Sequence, residues 1–272
     1  MTVSLMRRTA LMCVTAALLA LQLVGCSTPP VDESANATAE RLYKDAREDI
    51  ESGSFERAIK TLERVEGLAS GAVLGQQALL EIAYLNWRTG ERQAGLTAIE
   101  RFIKLNPSSP GLDYALYLRG LLNFSDNLGL LGSWFGQDLS ERDQKAARES
   151  YQAFKQLVDQ FPNSRYTPDA KLRMNFIVNS LASYEVHVAR YYLRRGAYVA
   201  AANRAQQAVA DYQQTPAAEE ALFILVQSYD KLDLPKLRDD AERVLRQNFP
   251  SSGYLDNGAL GAREKTWWKF WQ

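Results

Sequence analysis

The strongest constraint on the fold is a spacing of 37 residues that recurs along the chain. Ala46, Ala83 and Gly120 are separated by this interval, and so are the glycines Gly53 and Gly90. Ala189 and Val226 repeat the interval further along. Each window then has a second small residue, at Ala58, Gly95, Ser150 and Ala201. A fixed period of this size, with small residues where two helices approach closely, indicates stacked pairs of antiparallel helices.

The pattern between Thr38 and Pro250 predicts an all-α fold. Apolar residues recur there at three and four positions, and runs of alternating β-branched residues are missing. Proline ends the second helix of four units, at Pro107, Pro162, Pro216 and Pro250. We therefore predict an α-solenoid of about five tetratricopeptide-like helix pairs, over residues 38–70, 75–107, 111–162, 166–215 and 217–250.

Two units depart from the period. Gly120 and Ser150 are 30 residues apart where the repeat spacing is 12, so about 18 residues are inserted between the helices of the third unit. The insert, 125–140, is apolar and punctuated by glycine, which favours either a loop packed on its own scaffold or a contact with a partner. In the fourth unit, the stretch from Asp169 to Arg195 has neither proline nor glycine and predicts a first helix of about seven turns.

The first 25 residues are predicted to be a cleaved signal peptide. Arg7 and Arg8 precede an apolar run that is too short for a comfortable transmembrane helix. The stretch Leu23-Val24-Gly25-Cys26 resembles the lipobox of bacterial lipoproteins, which implies cleavage after Gly25 and a lipid on Cys26. Several acyl chains would anchor the protein to a membrane without spanning it. The alternative is an ordinary secretory peptide with a coincidental cysteine.

The residue after the predicted lipidation site bears on location. Ser27 stands where an aspartate would retain such a lipoprotein in the inner membrane, so the resemblance implies lipid anchoring in the outer membrane, on its periplasmic face. Cys13, the only other cysteine, lies in the signal peptide, so the mature chain has no pair for a disulfide. We expect residues 26–37 to form a lipidated linker.

The charge balance and the motif content exclude several function classes. The chain has 32 basic and 32 acidic residues, and therefore no electrostatic footprint for nucleic acid. His187, the one histidine, lies mid-helix beside Val186 and Val188, where a structural role is favoured over a catalytic one. Zinc motifs, a nucleophile elbow and a phosphate-binding loop do not occur in the sequence. We predict no enzymatic activity, no metal and no cofactor.

A stack of repeats offers a groove lined by the first helix of each unit. Projection outward from the small positions predicts that seven aromatic and basic residues line it: Tyr43, Arg47, Tyr84, Trp87, Arg88, Tyr114 and Tyr117. Tyrosine gives a large amphipathic contact area, and arginine pairs with carboxylates. An extended peptide with aromatic residues and a terminal carboxylate would suit this groove, although the aromatics could instead pack between repeats.

Several stretches are far more specific than a generic repeat. They are AIERFIKLNP at 98–107, DY at 113–114 with YLRGL at 117–121, FPNSRY at 161–166, and VARYY, RGAYVA and NR within 188–204. On these stretches the chain, over roughly 38–250, resembles the BamD family, the lipoproteins of the β-barrel assembly machinery in the Gram-negative outer membrane.

The resemblance implies a division of labour between the repeats. Repeats 1–3, residues 38–162, would recognise C-terminal targeting segments of unfolded outer-membrane proteins. Repeats 4–5, residues 163–250, would dock the barrel-forming, BamA-type subunit, with Arg204 as a docking residue. An accessory, BamC-type lipoprotein would lie along the same scaffold. On physical grounds alone, Arg204 could equally be a solvated helix arginine.

The end of the chain departs from the family pattern. Residues 251–272 include a linker with glycines and then Trp267, Trp268, Phe270 and Trp271 among lysines. We expect this tail to be flexible, but it could also lie at a membrane interface, dock a partner or occupy the chain's own groove. For the whole protein, the alternative function is a repeat lipoprotein that serves as an adaptor for peptidoglycan hydrolases or cell-wall coordination.

Overall fold

A computed structural model describes residues 33–124 and 141–257. Within these two ranges the chain forms eleven helices and no strand, so the predicted all-α class is confirmed. The helices are α1 (Glu33–Glu51), α2 (Phe55–Leu68), α3 (Val73–Thr89), α4 (Arg92–Leu105), α5 (Leu112–Asn123), α6 (Glu141–Gln160), α7 (Thr167–Arg194), α8 (Tyr198–Asp211), α9 (Ala217–Lys231), α10 (Pro235–Asn248) and α11 (Gly253–Asn257).

The first ten of these helices follow one another as the five predicted tetratricopeptide-like pairs. Contacts divide the chain into two compact units, with the boundary between Gly75 and Gln76. The first unit holds α1, α2 and the first residues of α3, and the second unit holds the rest of the described helices. Cys26, the insert 125–140 and the tail beyond Asn257 lie outside the described residues.

Left-handed residues make the turn inside four of the pairs. Gly53, Gly90 and Gly196 have φ angles of +78°, +80° and +74°. Glycine adopts this conformation without steric cost because it has no Cβ. Asp233, which lies 37 residues after Gly196, takes the equivalent position with a φ of +54°. Aspartate is one of the few other residues that tolerate the left-handed region.

The small residues of the 37-residue period lie where helices meet. Five alanines are completely buried: Ala46, Ala58, Ala83, Ala189 and Ala201. Gly120 is the tightest of these positions, because a Cβ there would lie 2.3 Å from Cε1 of Phe154. The hydroxyl of Ser150 also donates a hydrogen bond to the Gly120 carbonyl at 2.8 Å. Helices α5 and α6 therefore pack at the small positions that the sequence predicts, on either side of the insert.

The long helix α7 has 28 residues, as the absence of proline and glycine predicts. It contacts α6 before it, its own partner α8, and α9 of the following pair. Its buried side has Ile177, Leu181, Val186 and Leu193. This helix therefore joins three successive helix pairs of the second unit. Among the described helices, none is both long and apolar enough to cross a membrane.

Candidate aromatic binding surface

The seven predicted groove residues are distributed over both units. Tyr43 and Arg47 lie on α1 in the first unit, where Tyr43 is half-buried and Arg47 is exposed. The other five lie in the second unit, on α3 and α5. The surface that α3 and α5 build lies in the second unit.

Three predicted residues form one group on α3. Tyr84 and Trp87 have ring centroids 5.8 Å apart, and the Arg88 guanidinium carbon lies 5.9 Å from the Tyr84 centroid. Arg88 Nη1 also donates a hydrogen bond to the Tyr84 hydroxyl at 3.1 Å. Residues three and four apart share one helix face, which explains the grouping. Trp87 keeps 38% of its surface exposed, so its ring is available for contact.

The two predicted tyrosines of α5 meet a third tyrosine that the sequence reasoning missed. Tyr166 lies just before α7, with its ring 4.9 Å from that of Tyr117 in a stacked arrangement and 5.2 Å from that of Tyr114. We call Tyr114, Tyr117 and Tyr166 the tyrosine cluster. Phe154 of α6 lies beneath it, 6.0 Å from the Tyr117 centroid. Ring pairs at these distances attract one another beyond the effect of burial.

A charged network fixes one side of the tyrosine cluster. The Tyr117 hydroxyl donates to Asp169 Oδ2 at 2.7 Å, and Arg173 Nε donates to the same oxygen at 2.6 Å. Burial alone would raise the pKa of Asp169, but the hydrogen bonds from Arg173 and Tyr117 outweigh it and lower that pKa below its ordinary value. Burial, reinforced by Asp169, raises the pKa of the Tyr117 hydroxyl. Tyr117 therefore stays protonated and holds α5 to α7.

Tyr114 is close enough to Tyr84 of the α3 group and to Tyr166 for both to act on its hydroxyl. Burial raises the pKa of its hydroxyl above the ordinary value, and the neighbouring Tyr166, Tyr84 and Glu81 raise it further, while Arg165 opposes them. Tyr114 is thus a neutral hydrogen-bonding group at physiological pH. We call Tyr84, Trp87, Tyr114, Tyr117 and Tyr166 together the aromatic surface.

Arg165 lies at the edge of the aromatic surface. Its side chain is exposed, and its guanidinium carbon lies 4.7 Å from the Tyr166 ring centroid. It also donates a hydrogen bond to the Tyr166 hydroxyl. The turn that carries both residues is attached to the start of α5, because the Ser164 hydroxyl donates to Asp113 Oδ2 at 2.6 Å.

Arg204 has a buried acidic partner. Its Nη1 atom donates to Glu185 Oε2 at 3.1 Å, and the side chains are 43% and 3% exposed respectively. Arg204 is therefore not a fully solvated arginine, which was the alternative that its helix position left open. Tyr212 lies close by: burial raises the pKa of its hydroxyl, Arg148 lowers it, and Asp211 and Glu185 raise it.

The described residues contain no group of three or more histidine, cysteine, aspartate or glutamate side chains that could hold a metal ion. His187 lies on an exposed side of α7. The chemistry available on the aromatic surface is therefore that of ring faces, hydroxyl groups and guanidinium groups. Such groups bind extended polar and aromatic chains by contact and hydrogen bonding.

The fold defines an all-α protein of tetratricopeptide-like helix pairs, and the aromatic surface lies on its second unit. A family model described as outer membrane lipoprotein, YfiO, matches residues 35–255. The chain therefore belongs to this family of outer membrane lipoproteins, and the resemblance to the BamD family is confirmed.

Two relatives illustrate the range of similarity. The outer membrane protein assembly factor BamD of Neisseria meningitidis serogroup B is 44% identical over 258 residues, which is 93% of this chain and 96% of that protein. The protein of the same name from Vibrio cholerae serotype O1 is 33% identical over 232 residues, which is 85% of this chain and 96% of that protein.

Proposed function

We propose that this chain is an assembly factor for outer-membrane proteins that acts by binding rather than by catalysis. The observation that carries the proposal is the name shared by its relatives, outer membrane protein assembly factor. These relatives are 44% and 33% identical to the chain over 93% and 85% of its length. In this proposal a lipid on Cys26 holds the protein on the periplasmic face of the outer membrane. Tetratricopeptide-like repeats suit such a role because they present broad binding surfaces.

The substrate of the proposed function is the C-terminal targeting segment of an unfolded outer-membrane protein, bound by repeats 1–3. The aromatic surface supports this part. Four of its five residues lie in repeats 2 and 3, and Tyr166 follows at the start of repeat 4. Tyr117 is held in place by the Phe154 ring and by its hydrogen bond to Asp169. Side chains that are already ordered lose little entropy when a peptide binds. Tyr43 and Arg47 of the first unit are proposed as further contacts with the same substrates.

The partner of repeats 4–5 in this proposal is the barrel-forming subunit, with Arg204 as a docking residue. A guanidinium has five N–H donors, and the bond to Glu185 comes from Nη1. Because 43% of the Arg204 side chain remains exposed, it can donate further hydrogen bonds to a carboxylate of a partner. An accessory lipoprotein of the BamC type is proposed to lie along the same scaffold.

Site-specific photo-crosslinking in cells tests both parts. One probe replaces Trp87, which is exposed on the aromatic surface, and one replaces Asn203, which is exposed beside Arg204 and leaves the Glu185 ion pair intact. We expect the Trp87 probe to trap unfolded outer-membrane proteins and the Asn203 probe to trap the barrel-forming subunit. A control probe at Gln247, exposed on α10, should trap neither. Cross-links to cell-wall hydrolases from both test probes would instead support the adaptor alternative.

A further inference from the structure

We propose that Arg165 anchors the carboxylate at the end of the peptide that binds the aromatic surface. The inference deepens the proposed function and rests on it, because it assigns the charge-recognising residue of the same site. Helix spacing in the sequence predicts Arg47 and Arg88 for that task and does not single out Arg165. The geometry of the second unit favours Arg165 for three reasons.

First, Arg165 has no carboxylate partner among the described residues. Its hydrogen bond goes to the Tyr166 hydroxyl and its guanidinium packs on the Tyr166 ring, and neither of these groups is a carboxylate. Other arginines around α5 have acidic partners: Arg173 pairs with Asp169 at 2.6 Å, and Arg119 pairs with Glu100 at 3.4 Å. The charge of Arg165 is therefore available to an external anion.

Second, the carboxylate that acts on Arg165 is engaged elsewhere. Asp113 acts on Arg165 electrostatically, but its Oδ2 accepts from the Ser164 hydroxyl at 2.6 Å. Its Oδ1 accepts from the backbone N–H of Tyr114 at 2.7 Å. Asp113 therefore anchors the turn that carries Arg165, while its own oxygens are directed to α5 and to Ser164. An incoming carboxylate does not have to displace an ion pair.

Third, the guanidinium is ordered before any peptide arrives. Packing over the Tyr166 ring at 4.7 Å restricts the planar group, and its remaining N–H donors can form a two-point contact with a carboxylate. Tyr166 is also the ring that joins Tyr114 and Tyr117. A peptide whose last residue is aromatic can therefore place its ring on the tyrosine cluster and its carboxylate on Arg165. This juxtaposition favours a chain end over an acidic side chain elsewhere in a peptide.

The test measures peptide binding to the purified full-length lipoprotein in detergent by fluorescence anisotropy. Three versions of one ten-residue peptide with alternating aromatic residues are used: a terminal phenylalanine with a free carboxylate, the same peptide amidated, and an amidated peptide that ends in glutamate. We expect the wild-type protein to bind the free acid roughly tenfold more tightly than the amide, as for one charge-assisted contact. The peptide ending in glutamate should bind no better than the amide.

The Arg165→Gln variant should bind the free-acid and the amidated peptides with equal affinity. That affinity should match the affinity of the wild type for the amidated peptide. Tyr166→Phe, which keeps the ring and loses the hydroxyl that holds the guanidinium, should retain part of the preference. The matched control is Arg195→Gln, because Arg195 is also exposed and packs over a tyrosine, Tyr191, at 5.3 Å, at the other end of α7. This control should keep the full preference. Unchanged circular dichroism and melting temperature would exclude unfolding of the variants.

The outcomes separate the inference from the function on which it rests. If no peptide binds the wild type, the proposed peptide recognition fails. If acid and amide bind equally well to the wild type, peptide recognition stands and the anchoring role of Arg165 is overturned. Loss of the preference in Arg88→Gln but not in Arg165→Gln would also overturn it. Tight binding of the glutamate peptide would overturn the assignment to a chain end.

Discussion

At the scale of single residues, the ion pair between Arg204 and Glu185 links stability to the proposed docking role. Glu185 is almost completely buried, and a buried charge without a partner is costly. A substitution at Arg204 therefore changes more than an exposed cation. Loss of partner binding in an Arg204 variant is informative only if the fold is measured at the same time.

We predict that Arg204→Leu lowers the free energy of unfolding by about 1 to 3 kcal/mol, because it leaves the buried Glu185 carboxylate without its hydrogen-bonding partner. The double variant Arg204→Leu with Glu185→Gln should recover most of this loss, since the uncompensated charge is gone. Urea denaturation followed by circular dichroism measures both. Equal stability of the single variant and the wild type would show that Glu185 does not depend on Arg204. If the double variant recovers the lost stability, it is the proper protein for docking experiments.

Gly120 gives a second prediction at this scale. A methyl group there would lie 2.3 Å from the Phe154 ring, where α5 packs against α6. Gly120→Ala should therefore destabilise the protein by about 1 to 3 kcal/mol through overpacking. The matched control is Gly67→Ala on α2, where nothing lies within 4 Å of the new Cβ, so that alanine should be neutral or stabilising. Urea midpoints that fall in both variants would contradict the packing argument.

At the scale of helices, the left-handed turn residues set where each pair reverses. Gly196→Ala should cost about 1 to 2 kcal/mol, because alanine is strained at a φ of +74°. Gly196→Asp should cost less, since Asp233 adopts the same region 37 residues later. The two denaturation midpoints, compared with that of the wild type, test this order. An aspartate variant less stable than the alanine variant would mean that crowding, rather than the backbone, decides the effect.

The attachment of α5 to α7 through Asp169 should depend on pH. Because the pKa of Asp169 is lowered from 3.8 in the folded protein, the unfolded chain binds its proton first as the pH falls. The contribution of Asp169 is therefore complete above its ordinary pKa and is lost as the pH falls through the lower, folded pKa. We expect Asp169→Asn to flatten the fall in stability below about pH 4. Urea midpoints between pH 2.5 and 6 measure this, and parallel profiles for the variant and the wild type would contradict it.

At the scale of the whole molecule, the sequence was sufficient for the helix pairs. The period of 37 residues and the proline punctuation are properties of the chain itself, so they predict the order of the helices and their approximate ends. The second predicted pair covers 75–107, and the structure has α3 and α4 over Val73–Thr89 and Arg92–Leu105. The absence of proline and glycine also predicted the length of α7 correctly.

The sequence could predict which site residues share one helix face, but not which residues meet from distant segments of the chain. The grouping of Tyr84, Trp87 and Arg88 could be predicted, because three- and four-residue spacing places them on one face of α3. Tyr166 and Arg165 were missed because they lie in the turn before α7, and Tyr166 meets Tyr117 across 49 residues of sequence. Periodicity within a helix contains no information about such a contact. The one available signal was the FPNSRY stretch at 161–166, which marked the turn as specific.

The attachment of the whole molecule to the membrane gives the last prediction. The lipobox predicts that acyl chains on Cys26 hold the protein, whereas the tryptophan-rich tail could contribute a second, weaker contact. Four forms separate these contributions: the wild type, a form with an ordinary secretory leader and Cys26→Ser, a form that lacks 258–272, and a form with both changes. Because several acyl chains bind a membrane far more strongly than a short aromatic segment, we expect the Cys26→Ser form to leave the outer-membrane fraction in a high-salt wash and the form without the tail to remain. If the Cys26→Ser form stayed in the outer-membrane fraction and the doubly changed form did not, the tail would be the main anchor instead.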